Sequence, residues 1–489
     1  NDKEFGDAYG AVTKPTDKLW LSYTMGSGSD TATPCELMDR IADMFGDVSI
    51  KTDIEEESAS SAPSAYSALI KHLRTGVENG HIDARAGELY AALHNDDEYA
   101  RKLASLPSAL FPSVSAEPLG EDAAHRLYGA RLSGGITSIE KFNGCPFKHF
   151  ASVGLKLTPR KEYRERKADE GLFCHEAMSL LTKELIAMGK GDGSITNDQL
   201  ETLLDSILPK LIAQHNNGVL MDTARGRAAA ARLIRRVKAT AYAVVEQLRR
   251  GEFSISGTET EFGIGKRYPE LILELPGGGR YILSGRIDRI DSYTSDSGEK
   301  FVRVIDYKSE SGSAFDCADI ADGKRLQLPL YIAAIEAAGA AERAAGMYYL
   351  PVHEGIINSN GKEDDFGARI LKEFRLRGAC LNDAKLIELG GGEDVQPTAR
   401  SGWRLSEEQL KGTVSFAVDK AKQTAYKVAK GHAEAYPLMS KENKTECEWC
   451  DYNSVCGFDA TLPCCKYRRA SIIKKDDFLE EVSHAQLDR

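Results

Sequence analysis

Two short segments hold residue types that could do chemistry together: Gly285-Arg286-Ile287-Asp288 and Asp306-Tyr307-Lys308. Apolar and polar residues alternate through 281–290 and 301–308, which predicts a β-strand for each. Side chains two apart on a strand share a face, so Asp306 and Lys308 point the same way. If the two strands are neighbours, Asp288 and Asp306 converge and can hold a divalent cation through oxygen, the ligand Mg²⁺ prefers. Such a cation lowers the pKa of a bound water and polarises a scissile phosphate. Lys308 beside it would offset charge developing on the phosphoryl oxygens, a role often worth about 10²–10³ in rate. A lone Asp-x-Lys is most often a surface ion pair. The Gly-Arg-Ile-Asp strand upstream turns the reading towards a metal site.

Two further groups fit around it. His175, in Gly171-Leu172-Phe173-Cys174-His175-Glu176, lies on a predicted helix and could add a nitrogen ligand, which would make the site more tolerant of Mn²⁺. Gln327 and Tyr331, at i and i+4, face the same way on the helix after the Asp-x-Lys strand. Gln327 could orient the attacking water or Lys308, and Tyr331 could touch a DNA backbone. Ordinary packing is the plainer explanation for each of these taken alone.

A second constellation is Cys447-x-x-Cys450-x5-Cys456, with Cys145 far upstream. Three thiolates on one loop lack a ligand for a closed tetrahedral site. Cys145, next to Pro146, is the best candidate for the fourth. A shared metal centre would then clamp segments about 300 residues apart, offsetting the loop entropy of bringing them together. Four thiolates suit zinc and an iron–sulfur cluster equally, and composition does not choose between them. Cys464-Cys465 reads as a bystander pair.

The elements that must position these residues follow from periodicity. Helices are predicted at 169–188, 223–250, 327–338 and 406–432, and strands at 253–264, 271–275, 281–293, 301–308 and 347–350. Pro276-Gly277-Gly278-Gly279 is a turn signal that makes an antiparallel hairpin of the strands on either side. This order predicts an α/β domain with a mixed sheet flanked by helices. Upstream, 19–23 reads as a strand, 35–130 as several helices, and 55–64 as a linker. The helix at 225–250 carries Arg225, Arg227, Arg232, Arg235, Arg236, Lys238, Arg249 and Arg250, a candidate DNA-facing stripe or simply a solvated face.

At 489 residues the chain is too long for one core. Its net charge of −11 argues mildly against nucleic acid, although a nuclease needs only a local basic groove. No apolar run is long enough to cross a membrane. The ten cysteines, without a secretory signal, make a disulfide framework a poor explanation. No Walker A loop, His-Glu-x-x-His or Gly-x-Ser-x-Gly occurs, which argues against an ATPase, a zinc protease or a serine hydrolase. The start at Asn-Asp-Lys-Glu, with no initiator Met, suggests a piece of a longer intracellular protein.

Taken together, Gly135-Ile136-Thr137-Ser138 through Cys145-Pro146-Phe147, the Gly-x-x-x-His-Glu segment, Gly-Arg-Ile-Asp, Ile-Asp-Tyr-Lys-Ser, Gln-Leu-Pro-Leu-Tyr and the closing cysteines closely resemble the C-terminal half of the AddB family, the second subunits of bacterial AddAB helicase–nucleases. The resemblance covers roughly 120–470 and implies a RecB-type nuclease domain of the PD-(D/E)XK, restriction-endonuclease-like superfamily. It implies metal ligands at His175, Asp288, Asp306 and the Tyr307 carbonyl, with Lys308 as the catalytic lysine. It also implies Gln327 with Tyr331 as the active-site Gln-x-x-x-Tyr pair. A [4Fe–4S] cluster on Cys145, Cys447, Cys450 and Cys456 is implied in the same way. Tyr9-Gly10-Ala11-Val12-Thr13-Lys14 through Tyr23 looks like a decayed helicase motif VI, with Lys14 where a working helicase carries arginine.

The expected organisation is therefore a helical remnant of an inactivated helicase-like region at 1–130, a nuclease domain at 131–470 and a tail at 471–489. The expected activity is Mg²⁺-dependent hydrolysis of DNA during helicase-coupled break repair. The expected partners are an AddA-like subunit and a single strand emerging from an unwound duplex, with no membrane, in a bacterial cytoplasm. The competing expectation is a non-catalytic iron–sulfur or zinc clamp that grips DNA or a partner.

Overall fold

The structure is a computed structural model that describes residues 2–23, 26–27, 30–31, 33–45, 61–110, 118–129, 131–160, 163, 166–309, 315–339, 342–355, 366–400, 403–462 and 464–487. The chain divides into two compact units, Asn1–Pro112 and Ser113–Arg489.

The first unit is helical, as expected: α1 (Asp2–Thr13), α2 (Glu36–Met44), α3 (Ala62–Asn79), α4 (Ala84–His94) and α5 (Asp97–Leu110). Ser61 caps α3, and Asp83 caps α4 by accepting from the Ala86 N–H at 2.9 Å. Leu69, Leu89, Leu93, Tyr99 and Leu103 form the core shared by α3, α4 and α5. The 19–23 run is not a strand. It has no pairing partner among the described residues, and Trp20 stands exposed. Most of the expected linker at 55–64 lies outside the described residues, and its last residues open α3.

The second unit runs α6 (Glu121–Tyr128), β1 (Leu132–Gly135), α7 (Ile136–Gly144), α8 (Lys167–Ala187), α9 (Asn197–Gln214), α10 (Ala224–Arg250), β2 (Ser254–Phe262), β3 (Leu271–Glu274), β4 (Arg280–Thr294), β5 (Lys300–Ser309), α11 (Gln327–Ala337), β6 (Glu342–Val352), β7 (Arg377–Leu381), β8 (Trp403–Leu405), α12 (Glu407–Ala429) and α13 (Lys475–Leu487), with shorter helical turns between. Among the described residues, β1–β8 form one sheet in the order β8-β7-β6-β5-β4-β1, with β2 and β3 also paired to β4. The sheet is mixed. β5 runs parallel to β6, β7 to β8 and β1 to β4, while β2, β3 and β5 each pair antiparallel with β4. The Gly277-Gly278 turn, both at positive φ, joins β3 to β4 in the expected hairpin.

Alternation along the strands feeds two cores. Val302, Val304, Met347 and Tyr349 pack with Ile139 of α7, Leu328 and Ile332 of α11, Val414 and Ala417 of α12 and Phe478 of α13. Ile305, Tyr307, Tyr348 and Leu350 pack on the other face with Phe173 and Leu181 of α8, Leu204 of α9 and Val237 and Val244 of α10. A mixed sheet flanked by helices is thus the architecture, as the pattern predicts. Two segments differ from expectation. α6 belongs to this second unit, where it packs on β1 and α12. Within the expected tail, residues 475–487 form a helix, with Phe478 fully buried against Trp403 and Phe416.

Candidate active site and cysteine arm

The β4–β5 register pairs Arg289 with Ile305, so the next step sets Asp288 across from Asp306. Because Val302 and Val304 face α11, Asp306 and Lys308 do too. The Lys308 ammonium donates to Gln327 Oε1 at 2.8 Å and lies 2.9 Å from Asp306 Oδ2. Asp288 Oδ2 accepts from the Tyr307 backbone N–H at 3.2 Å and stands 3.1 Å from His175 Nδ1, carried by α8. Elements from both sides of the sheet therefore deliver His175, Asp288, Asp306, Lys308 and Gln327 to one end of β5. Tyr331 is also here, but buried at 4% exposure with its ring 6.3 Å from Phe262. Its hydroxyl is held well above the usual tyrosine range by burial and by the charges of Asp306, Asp288 and Glu140. It faces the carboxylates and not the surface.

The electrostatics are unbalanced. Burial, then the neighbouring Asp288, pushes the Asp306 carboxyl up to about 6, against the pull of Lys308 and His175. Burial draws His175 down, but its hydrogen bond to Asp288 and the charges of Asp288 and Asp306 leave it raised overall. Asp306 Oδ2 is buried and accepts no aligned hydrogen bond, despite the nearby ammonium. A buried carboxylate oxygen without an aligned donor, two facing aspartates and an imidazole make a donor set that fits a small divalent cation.

The cysteines assemble at a second place. Cys145 ends α7, buried, and Pro146 opens the next helical turn. Burial, then the nearby Cys145, Cys456 and Cys450, pushes the Cys447 thiol up to about 11, so the four sulfurs share one neighbourhood. Glu446, next to Cys447, forms ion pairs with Lys148 at 3.1 Å and with Lys324. Among the described residues, no three His, Cys, Asp or Glu side chains are drawn close enough to hold a metal as they stand. At both places the donors are gathered without being drawn to bonding distance. Four thiols fit zinc or an iron–sulfur cluster by their chemistry.

The family model described as the PD-(D/E)XK nuclease superfamily matches residues 135–457. The chain belongs to that superfamily. Its relatives include proteins named as the B-type subunits of ATP-dependent helicase/deoxyribonucleases. The chain is 25% identical to the one from Alkaliphilus oremlandii over 97% of its length. It is 29% identical to that of Moorella thermoacetica over 96%, and 28% to that of Symbiobacterium thermophilum over 98%. It spans 43% of the length of each. The PD-(D/E)XK span runs from the end of β1 to just beyond Cys456, and so takes in every candidate residue of both places.

Within this nuclease domain, two acidic residues were not anticipated from sequence. Glu140 of α7 accepts from the backbone N–H groups of Leu326 and Gln327, at 2.8 and 3.2 Å. Burial pushes its carboxyl up to about 7, against those two hydrogen bonds and Lys308. Glu259 sits on β2 at φ +48, between residues paired with Arg289 and Ile287, and so faces Asp288 while ion-pairing with Arg286. A signal for Glu140 existed: it lies four residues after Ile136, on the apolar face of a short helix. The basic helix α10 is partly neutralised. Arg236 pairs with Glu170, Lys238 with Glu201 and Asp205, Arg235 with Glu354 and Arg249 with Glu246. No helix among the described residues is long and apolar enough to cross a membrane.

Proposed function

We propose that this chain is the nuclease part of a larger DNA-processing protein, a Mg²⁺-dependent deoxyribonuclease working beside an AddA-like helicase in a bacterial cytoplasm. The observation that carries the proposal is the convergence of Asp288, Asp306 and His175 with Lys308 at one end of β5, with Asp306 Oδ2 lacking an aligned hydrogen bond.

Asp288, Asp306, His175 and the Tyr307 carbonyl would hold the cation, and Mn²⁺ could replace Mg²⁺ there because one donor is nitrogen. When bound, it supplies polarisation of the phosphate and a lowered water pKa. Lys308 is aimed by Gln327 and stabilises negative charge that grows on the phosphoryl oxygens. The buried floor of Tyr307 and Tyr331 keeps the carboxylates in low dielectric, where that charge pairing is stronger. Cys145, Cys447, Cys450 and Cys456 would carry a [4Fe–4S] cluster that ties 135–150 to 446–456. The substrate strand would come from a duplex opened by the partner helicase.

The experiment is cleavage of end-labelled single-stranded DNA by the wild-type chain and by Asp306→Ala, with Mg²⁺ and then with excess EDTA. We expect cleavage by wild type with Mg²⁺ alone, and iron with sulfide in the same preparation. Cleavage that survives either EDTA or Asp306→Ala overturns the assignment. Zinc in place of iron overturns the cluster.

A further inference from the structure

The helix that bears Gln327 has no cap of its own. α11 begins at Gln327, and the residue in the capping position, Leu326, has no side-chain oxygen to offer the free N–H groups of the first turn. Glu140, 186 residues upstream on α7, fills that role through Oε1, which accepts from both Leu326 and Gln327. A carboxylate at a helix N-terminus is favoured by the helix dipole as well as by the two hydrogen bonds. α7 holds the same stretch a second time, since Asn143 Nδ2 donates to the Gly323 carbonyl at 3.0 Å. Gly323 is at φ +74, and a Cβ there would lie 2.3 Å from Asn143 Nδ2, so the approach is as close as a glycine permits. α7 ends at Cys145. From the other side Glu446, adjacent to Cys447, pairs with Lys324, three residues before Gln327.

We propose that Glu140 is a positioning residue for Lys308: it fixes the first turn of α11, α11 fixes Gln327, and Gln327 Oε1 aims the ammonium. α7 is then the lever that joins the cysteine arm to the nuclease centre. This rests on the nuclease reading above, and Glu140 touches neither substrate nor cation in it. Displacing a catalytic group by about 1 Å can cost 10²-fold in rate, so one lost cap is enough to matter.

The test uses the full chain with Glu140→Ala, Glu140→Gln, Gln327→Ala and the Glu140→Ala/Gln327→Ala pair. Amide hydrogen exchange at Leu326 and Gln327 is read first, because it needs no activity. Exchange should accelerate in Glu140→Ala and return towards wild type in Glu140→Gln, whose amide oxygen accepts the same two bonds. On single-stranded DNA, kcat should fall about 10-fold or more in Glu140→Ala, with KM and Mn²⁺ affinity unchanged and most of the rate restored in Glu140→Gln. The double variant should be no slower than the slower single one, because both act along one line. Unchanged exchange in Glu140→Ala overturns the cap, whether or not the protein cuts DNA. Wild-type kcat in Glu140→Ala, or losses that multiply in the double variant, overturn the positioning role while leaving the nuclease reading intact. Should Glu140→Ala fail to fold, Glu140→Asp keeps the charge but shortens the reach, and wild-type exchange and kcat in it overturn the proposal equally.

Discussion

β4 and β5 carry two clusters of buried charge a few residues apart, and they are built on opposite plans. In the first, Asp291 is fully buried, and its two carboxylate oxygens accept from Arg289 at 2.6 and 2.8 Å and from Arg303 at 2.8 Å. Burial pushes that carboxyl up, but the two guanidiniums more than reverse it and hold it below the usual aspartate range. In the second, Asp306 is as deeply buried, yet it faces Asp288, has one ammonium beside it and is pushed up to about 6. The same strand pair thus holds one aspartate gripped by two guanidiniums and one that faces a second carboxylate with a single ammonium beside it. A closed cluster fixes a fold. An open one has affinity left for something that the chain does not itself contain.

The comparison can be broken at several points. The largest effect on activity should come from Lys308→Ala, with cleavage falling by about 10²–10³-fold while DNA binding and the metal content of the cysteine arm stay at wild-type level. Single-turnover cleavage beside a binding titration checks it, and retained cleavage would remove Lys308 from the chemistry. Next comes Asp291→Ala, which strands Arg289 and Arg303 in the interior. It should cost about 3–5 kcal/mol of stability, read by denaturant unfolding. A cost below about 1 kcal/mol would mean that the first cluster is not the closed one it looks.

The smallest effect sharpens the contrast through pH. The folded-state carboxyl of Asp306 lies above the ordinary aspartate value, so the fold favours its protonated form. That contribution is fully present below about pH 4 and is lost as pH rises through about 6, a change on the order of 1–3 kcal/mol. Melting of the cation-free protein between pH 4 and 7 should therefore fall more steeply for wild type than for Asp306→Asn. Parallel melting curves would show that the open cluster carries no such strain.

Much of this was legible in sequence. Partial alternation marked β4 and β5, the Pro-Gly-Gly-Gly turn set β3 beside β4, and Asp-x-Lys named one face of a strand. The parts that were not legible have physical reasons. β7, Arg377–Leu381, is a short run buried on both sides, and β8, Trp403–Leu405, is only three residues long, so neither offers a period to read. α9 carries Leu200, Leu204, Leu208 and Leu211 at helical spacing behind the Thr196–Gln199 capping box, but Pro209 inside it reads as a breaker. The 19–23 segment has the composition of a strand but no neighbour among the described residues, and composition alone does not make a ladder. α13 reads as tail because its polar residues outnumber the few, Phe478 above all, that anchor it. Glu140 is the hardest case: its place on an apolar helix face is legible, but its partners are 186 and 187 residues away and no spacing rule connects them.

The grip of α7 also sets an order in time. Asn143 bonds to Gly323, 180 residues later, and accepts from Thr424, 281 residues later, and Lys148 must meet Glu446 across 298 residues. Contacts of such high sequence separation form late and slowly, after the loops they close have already lost their entropy. During synthesis, therefore, α7 is made long before Gly323, Thr424 and Glu446, its partners from far along the chain. The interval until 446–456 arrives is when this junction is most open to oxidation and to aggregation.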